Sequence, residues 1–348
     1  MPRRQHHYVP RFYLRRFKSR CRRINLHNIQ RGLTIVDASI KHECAKPDYY
    51  RSDRIESALA ELERRAAVTI MAMCDSEREY DPDTLRQFIA VQLLRTPSYT
   101  MRTAMTQAKF QELLSGETVD GESMRENLFD AVEATDLPVF NLQMSDDIAE
   151  AMRDLKSIVV ETATNTFITS DNPAFKYNQY LQKIQDHGTT GLQQTGIQVF
   201  LPLSPRHVLV MYDKNVYDYV KKQSPTEADV EALNGLQVIS ASNNLYFRDD
   251  WQSCAIEKLA SKYAQFRQSD PIVLDELSSD QNPQHFLVHS FEQTPNVGLN
   301  LSFLRIKRRA DRLSLSKRLK KELRAPYRHR VARRGGMTET FSTRVARF

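Results

Sequence analysis

Three short stretches hold side chains able to move a proton, carry a charge or steady a leaving group. The first is TFITSDNP, residues 166–173. A β-branched run ending in small and acidic residues is where an open-sheet protein sets its chemistry, beyond the strand's carboxyl end. Asp171 offers a carboxylate, Asn172 offers both a donor and an acceptor, and Pro173 closes the turn. Ser-Asp-Asn-Pro is equally ordinary turn punctuation, so the residues alone leave catalyst and turn both open. The second stretch is HHYVPRFYLRRF, residues 6–17. The neighbouring arginines should lower the pKa values of His6 and His7 and favour neutral imidazoles, which accept or donate a proton near pH 7. His7 adjoins Tyr8-Val9-Pro10 and is expected to be the better-fixed of the two; a purely structural histidine is the alternative. The third is FIAVQLLRTP, residues 88–97, where Gln92 and Arg95 stand at i, i+3 on one helix face among apolar neighbours. Buried, they need partners. They could hold the histidine or aspartate, read a base, or serve the structure alone.

These groups need a scaffold, and the chain's periodicities supply one. Phe12, Leu14 and Phe17 cannot share one strand face, so a helical turn is expected after Pro10, with Arg11, Arg15 and Arg16 projecting. RINLHNIQRGLTIV (23–36) alternates about Arg-Gly and reads as a hairpin. Ile55, Leu59, Leu62, Ala66, Ile70 and Met73 recur at helical spacing behind a Ser52 or Asp53 cap. Asp81-Pro82 and Thr96-Pro97 bound a second helix. Further helices are expected over 98–115, 122–134 and 144–156. Beyond them SIVVETA and TFITS read as a strand pair, QVFLPLS and HVLVMYD as two strands broken at Ser-Pro, TEADVEALNGLQVISAS as a helix and NNLYF as a strand. Residues 178–196 and SSDQNPQ look like surface loops. The end of the chain suggests a basic amphipathic helix bearing Leu313, Leu315, Leu319 and Leu323, and disorder beyond Gly335-Gly336. The expected fold class is α+β: a helical N-terminal half, an α/β half and a basic C-terminal tail. Its segments are 1–50 (basic strip and hairpin), 51–156 (helical), 157–304 (α/β) and 305–348 (tail).

Charge is segregated along this order. The first 31 residues hold about ten Lys and Arg and no acid, and residues 305–348 about sixteen against three acids. With an overall charge of +7, the middle carries roughly −16. Basic ends either fold back on an acidic body or bind nucleic-acid phosphates. No apolar run approaches the roughly 20 residues of a membrane span, and no signal-peptide core follows the basic start, so a cytoplasmic protein is expected. The four scattered cysteines, with no Cys-x-x-Cys pair, are expected as reduced thiols.

HHYVPRFYLRRF, FIAVQLLRTP, FITSDNPAF and FLPLSP, in that order, resemble the bacterial domain of unknown function 4238 over roughly residues 5–250. The resemblance implies a setting among anti-phage defence genes and an association with base excision. SDNP followed by LPLSPRH is also similar to motifs of the uracil-DNA glycosylase superfamily, in which an Asp or Asn positions water and a Ser-Pro loop touches the minor groove. Here the two stretches lie only about thirty residues apart and His207 follows Ser204-Pro205, so the likeness is one of chemistry and not of ancestry. The chemistry is coherent. Breaking a nucleoside C–N bond builds positive charge on the sugar, which a carboxylate can stabilise, while neutral donors steady the departing base. Basic strips and apolar wedges would bend DNA and extrude the base.

Other motifs fit less well. No carboxylate cluster with a lysine marks a metal nuclease, although Asp48, Asp53 and Glu56 could meet in space. Cys21, His27, His42 and Cys44 match no standard zinc spacing. RAPYRH (324–329) has the Arg-x4-His pattern of some helical ribonucleases, but Pro326 breaks the helix that pattern needs. The resulting expectation is a DNA glycosylase without cofactor or metal, acting on a modified base in phage DNA. Asp171, Asn172 and His7 would be catalytic, and His6, Arg11, Arg15, Arg16, Gln92, Arg95 and Ser204 would contact nucleic acid. A metal-dependent nuclease and a non-enzymatic nucleic-acid-binding or sensing module are the alternatives.

Overall fold

The computed structural model describes residues 5–19, 23–75, 79–113, 118–119, 122–123, 132–163, 166–184, 188–221, 223–248, 251–278, 286–319, 323–324 and 326–327. Among them the fold is α+β, and every strand pairing is antiparallel.

Its centre is a four-stranded sheet in the order Lys156–Glu161, His207–Tyr212, Gln198–Ser204, Phe175–Tyr177. The two middle strands are apolar on both sides because both sides are covered. Val199, Leu201, Leu203, Leu209 and Met211 enter a core shared with the helices Asp53–Cys74 and Pro82–Leu94. Phe200, Val208, Val210 and Tyr212 enter a second core under the helix Glu227–Ser240. The period of two thus feeds two cores from one strand.

A second sheet runs Leu33–Ala38, Ile24–Asn28, Asn244–Phe247, Thr169–Ser170 and is backed by the helix Ser253–Ala264. It joins the N-terminal hairpin to strands far along the chain. The two helices behind these sheets meet at Gly235, where an added Cβ would lie 2.1 Å from the Tyr263 ring.

Local signals act as their chemistry dictates. Ser52 accepts from the Ile55 N–H, Asp81 from those of Asp83 and Thr84 with Pro82 in the first turn, and Thr226 forms a capping box with Asp229. The hairpin turns through Gly32 at φ +59°, and Arg11–Leu14 is a helical turn continued by a 3-10 turn to Phe17.

Several expectations need correction. SIVVE and TFITS do not pair: the first strand lies beside His207–Tyr212, the second beside Asn244–Phe247 in the other sheet. Residues 178–196, where described, are largely buried, because the Asn178 amide donates to the carbonyls of Thr189 and Thr195 and folds the loop inward. Helices occupy Pro97–Leu113, Leu137–Gln143 and Ser145–Ala151, and most of 122–134 lies outside the described residues.

The basic end is part of the body as far as Tyr327, and not one amphipathic helix. Among its described residues are two short helices, Arg308–Asp311 and Leu315–Leu319, and Leu315 is exposed. Arg318 stacks on Tyr180 at 4.4 Å, and buried Arg324 pairs with Asp154 at 3.0 Å. The region beyond Gly335-Gly336 and residues 279–284, most of the SSDQNPQ stretch expected as a loop, lie outside the described residues. No helix among the described residues is long and apolar enough to cross a membrane.

Candidate functional site

The four motifs meet through buried hydrogen bonds. The Tyr13 hydroxyl donates to the Pro202 carbonyl and lies 2.8 Å from the Thr169 hydroxyl. Arg16 reaches the Leu203 carbonyl and the Cys74 sulfur. Gln92 Nε2 donates to the Tyr8 carbonyl at 3.1 Å, and the Thr96 hydroxyl donates to Asn172 Oδ1 at 2.9 Å.

At the centre of this weld, Asp171 is 2% exposed. Its carboxylate accepts from the backbone N–H groups of Ser242 (2.7 Å), Asn243 (2.8 Å) and Asn244 (3.1 Å). Burial pushes its pKa up in spite of those donors. The carboxylate therefore fixes the turn that enters the Asn244–Phe247 strand. This corrects the expectation that it faces a substrate: both oxygens are committed to the backbone, out of reach of solvent.

His6, expected to touch nucleic acid, is buried, stacked on Tyr50, and accepts from the Tyr50 N–H. It, not His7, is the better-fixed ring. Half-buried His7 donates from Nε2 to the Lys41 carbonyl at 3.2 Å. Burial lowers its pKa, with Arg11 and Arg95 adding to the effect, so desolvation outweighs the arginine field invoked from sequence.

Gln92 and Arg95 cannot read a base, because both are buried. Arg95 spends its guanidinium on Gln92 Oε1 and on Glu63, 2.9 Å away. Arg16 is likewise spent internally. Arg11 and Arg15 are exposed. Ser204 is partly exposed, with its hydroxyl 2.8 Å from His207 Nδ1. The Tyr246 hydroxyl donates to Glu43 at 2.9 Å and receives the Cys44 thiol at 3.3 Å. Burial pushes the pKa values of Tyr246, Cys44 and Glu43 up. Among the described residues no three His, Cys, Asp or Glu side chains gather as metal ligands.

Beside the weld opens a cavity of about 570 Å³, within the usual range for small-ligand sites. Its walls come from the start of the helix Pro97–Leu113 (Ser98, Tyr99, Arg102), the segment Asn172–Tyr177, the end of the helix Glu227–Ser240, residues 266–271 and residues 292–295. Asn172 joins the two regions. Its Nδ2 donates to the Ser240 carbonyl and hydroxyl, and its Oδ1 accepts from Thr96, so the amide is fixed where it meets the cavity wall.

The cations in the cavity wall differ in their engagement. Arg267 donates to the carbonyls of Val238, Ala241 and Ser242 and seals the end of the helix Glu227–Ser240. Arg102 is held by Ser98 and Glu292. Lys176 has no hydrogen-bond or ion-pair partner among the described residues. Burial lowers its pKa and Arg102 lowers it further, against Glu292.

Fold and site together define a mixed α+β protein with a polar, aromatic-walled cavity beside a buried hydrogen-bonded hub. The model of the family Protein of unknown function (DUF4238) matches residues 5–250, and the chain belongs to that family. No curated protein and no solved structure matches it.

Sequence alone did not single out Lys176, Tyr99, Arg102 or Glu292. Only Lys176 left a signal there: in NPAFKYN it is a single charge inside an apolar run directly after the SDNP turn.

Proposed function

We propose that this chain acts on DNA and hydrolyses the N-glycosidic bond of a base drawn into the cavity beside Asn172. The observation that carries this reading is the set of groups sharing that one cavity: the Glu292 carboxylate, the Lys176 amine, the Asn172 amide and the Tyr99 and Phe266 rings. Aromatic faces and a fixed amide are what reads an extruded base. In the reaction the C1′–N bond breaks, the base leaves with the electron pair and gains a proton, and water adds its oxygen to C1′. Glu292, the carboxylate in the cavity wall, takes the part expected of Asp171: it stabilises the sugar cation and orients the water. Asp171 and Arg95 become positioning residues, and exposed Arg11 and Arg15 hold phosphates. The substrate we favour is phage DNA with a modified base, in a cytoplasmic defence role.

The test incubates the protein with unmodified DNA and with modified phage DNA, in EDTA and in Mg²⁺. The expected products are a free base and sites that break only on alkali or heat, in both buffers, lost in Glu292→Gln. Direct strand cleavage that stops in EDTA would replace this reading by a metal-dependent nuclease. Binding without any product would leave a sensing module.

A further inference from the structure

Lys176 occupies an inward position of a sheet. It pairs in register with Val199 on the edge strand Phe175–Tyr177, and its neighbours Phe175 and Tyr177 pack into the second core. By alternation its side chain lies on the face that Val199 gives to the first core. There the cavity stands in place of apolar packing. An ammonium so placed is costly unless paired, and among the described residues this one has no hydrogen-bond or ion-pair partner, Glu292 acting on it only through its charge. The neighbouring charges are already engaged: Arg102 with Glu292 and Ser98, Arg267 with three carbonyls. A free amine on a rigid strand, within a ligand-sized cavity, is placed for nucleophilic attack.

We propose that Lys176 is an imine-forming nucleophile whose partner is an aldehyde on a phosphate-bearing sugar. This rests on the glycosidase reading for its natural source: removing a base leaves a sugar whose ring-opened form carries an aldehyde at C1′. The Nζ lone pair attacks that carbon and a carbinolamine forms. Its hydroxyl leaves as water with a proton from nitrogen, giving the C1′=Nζ bond. Water reverses the step, so the site holds its product until hydrolysis frees it. Only the neutral amine attacks, and the side chain's surroundings favour it. Burial and Arg102 depress its pKa, Glu292 opposes them, and Tyr99 stands in the same wall with its pKa pushed up by burial.

The test uses deoxyribose 5-phosphate and, separately, a duplex carrying a preformed abasic site. Each is mixed with the full-length protein and sodium borohydride, which reduces an imine to a stable amine. Adducts are mapped by mass spectrometry. The expected result is one adduct, on Lys176, that forms faster as pH rises, with its half-point below the 10.5 of an ordinary lysine. It should be lost in Lys176→Arg, which keeps the charge, and in Lys176→Met, which keeps the bulk. No adduct, or adducts spread over surface lysines, overturns the proposal. Because the aldehyde is supplied ready-made, that outcome leaves the base-release assay to judge the glycosidase reading by itself. Base release without trapping would retain the hydrolase and remove the imine.

Discussion

Asp171 and Lys176 stand five residues apart and face opposite situations. The carboxylate is buried and answered by three backbone donors. The amine opens on a cavity and, among the described residues, no hydrogen bond or ion pair answers it; Glu292 acts on it only through its charge. The same contrast separates the two regions they belong to. In the weld, Arg95, Gln92, Tyr13 and Thr96 each have partners, and the family's motifs serve to bind strip, helix and strands together. In the cavity, the amine of Lys176 keeps capacity to spare, with no hydrogen-bond or ion-pair partner among the described residues. The weld's partnered groups report on how the fold is held, and the free amine of Lys176 on what the cavity is for.

Four variants would sharpen or break this contrast. The largest effect should come from Arg95→Met. It strands Glu63 and Gln92, and breaking a buried pair costs about 3–5 kcal/mol; urea unfolding should show a loss near the lower figure, because Glu63 is partly exposed. A change under about 1 kcal/mol would mean the weld is not what holds the strip.

Asp171→Asn should follow, at about 1–3 kcal/mol, because an amide nitrogen would face donors it cannot accept from. Its pH dependence has a definite sign. The folded pKa lies above the ordinary 3.8, so this site's contribution is full below that value and declines as pH rises through the folded pKa. The wild type's margin over the variant should therefore shrink from about pH 4 upward. A margin that grows with pH would reverse the direction assigned to Asp171.

Lys176→Met should leave stability within about 1 kcal/mol or raise it, since it removes a half-buried charge without stranding a partner. A large loss would place Lys176 in the weld after all. The smallest stability effect belongs to Arg11→Gln with Arg15→Gln, within about 0.5 kcal/mol. The same pair should lower the salt slope of DNA binding by about 2, one for each phosphate that is no longer neutralised. An unchanged slope would remove the strip from binding. Removing residues 328–348 isolates the rest of the tail, whereas a cut at 305 would also take away buried Arg324.

What could be read from sequence was local. The caps at Ser52, Asp81 and Thr226, the Gly32 hairpin and the helical turn after Pro10 depend on neighbours a few residues away. The partners of Asp171 lie about seventy residues downstream, in a Ser-Asn-Asn run with no periodic signal. SIVVE and TFITS look like a pair because they adjoin. The chain instead crosses between sheets there, held by the Phe167 N–H on Pro205 and the Ile168 N–H on Asn234. Glu292 and Arg102 are common residues in common settings, and only the closing of the cavity brings them together.

The Tyr13 contact with Pro202 spans 189 residues, and this sets a clock on the ribosome. At roughly 5–20 residues per second, the opening strip waits about 10–40 s for the strand that receives it. For that interval Tyr13 and Arg16 are without their partners on that strand, while Phe12 and the Tyr8 carbonyl can already meet Phe88 and Gln92. The opening strip is thus completed in two stages, first on the helix Pro82–Leu94 and later on the strand Gln198–Ser204.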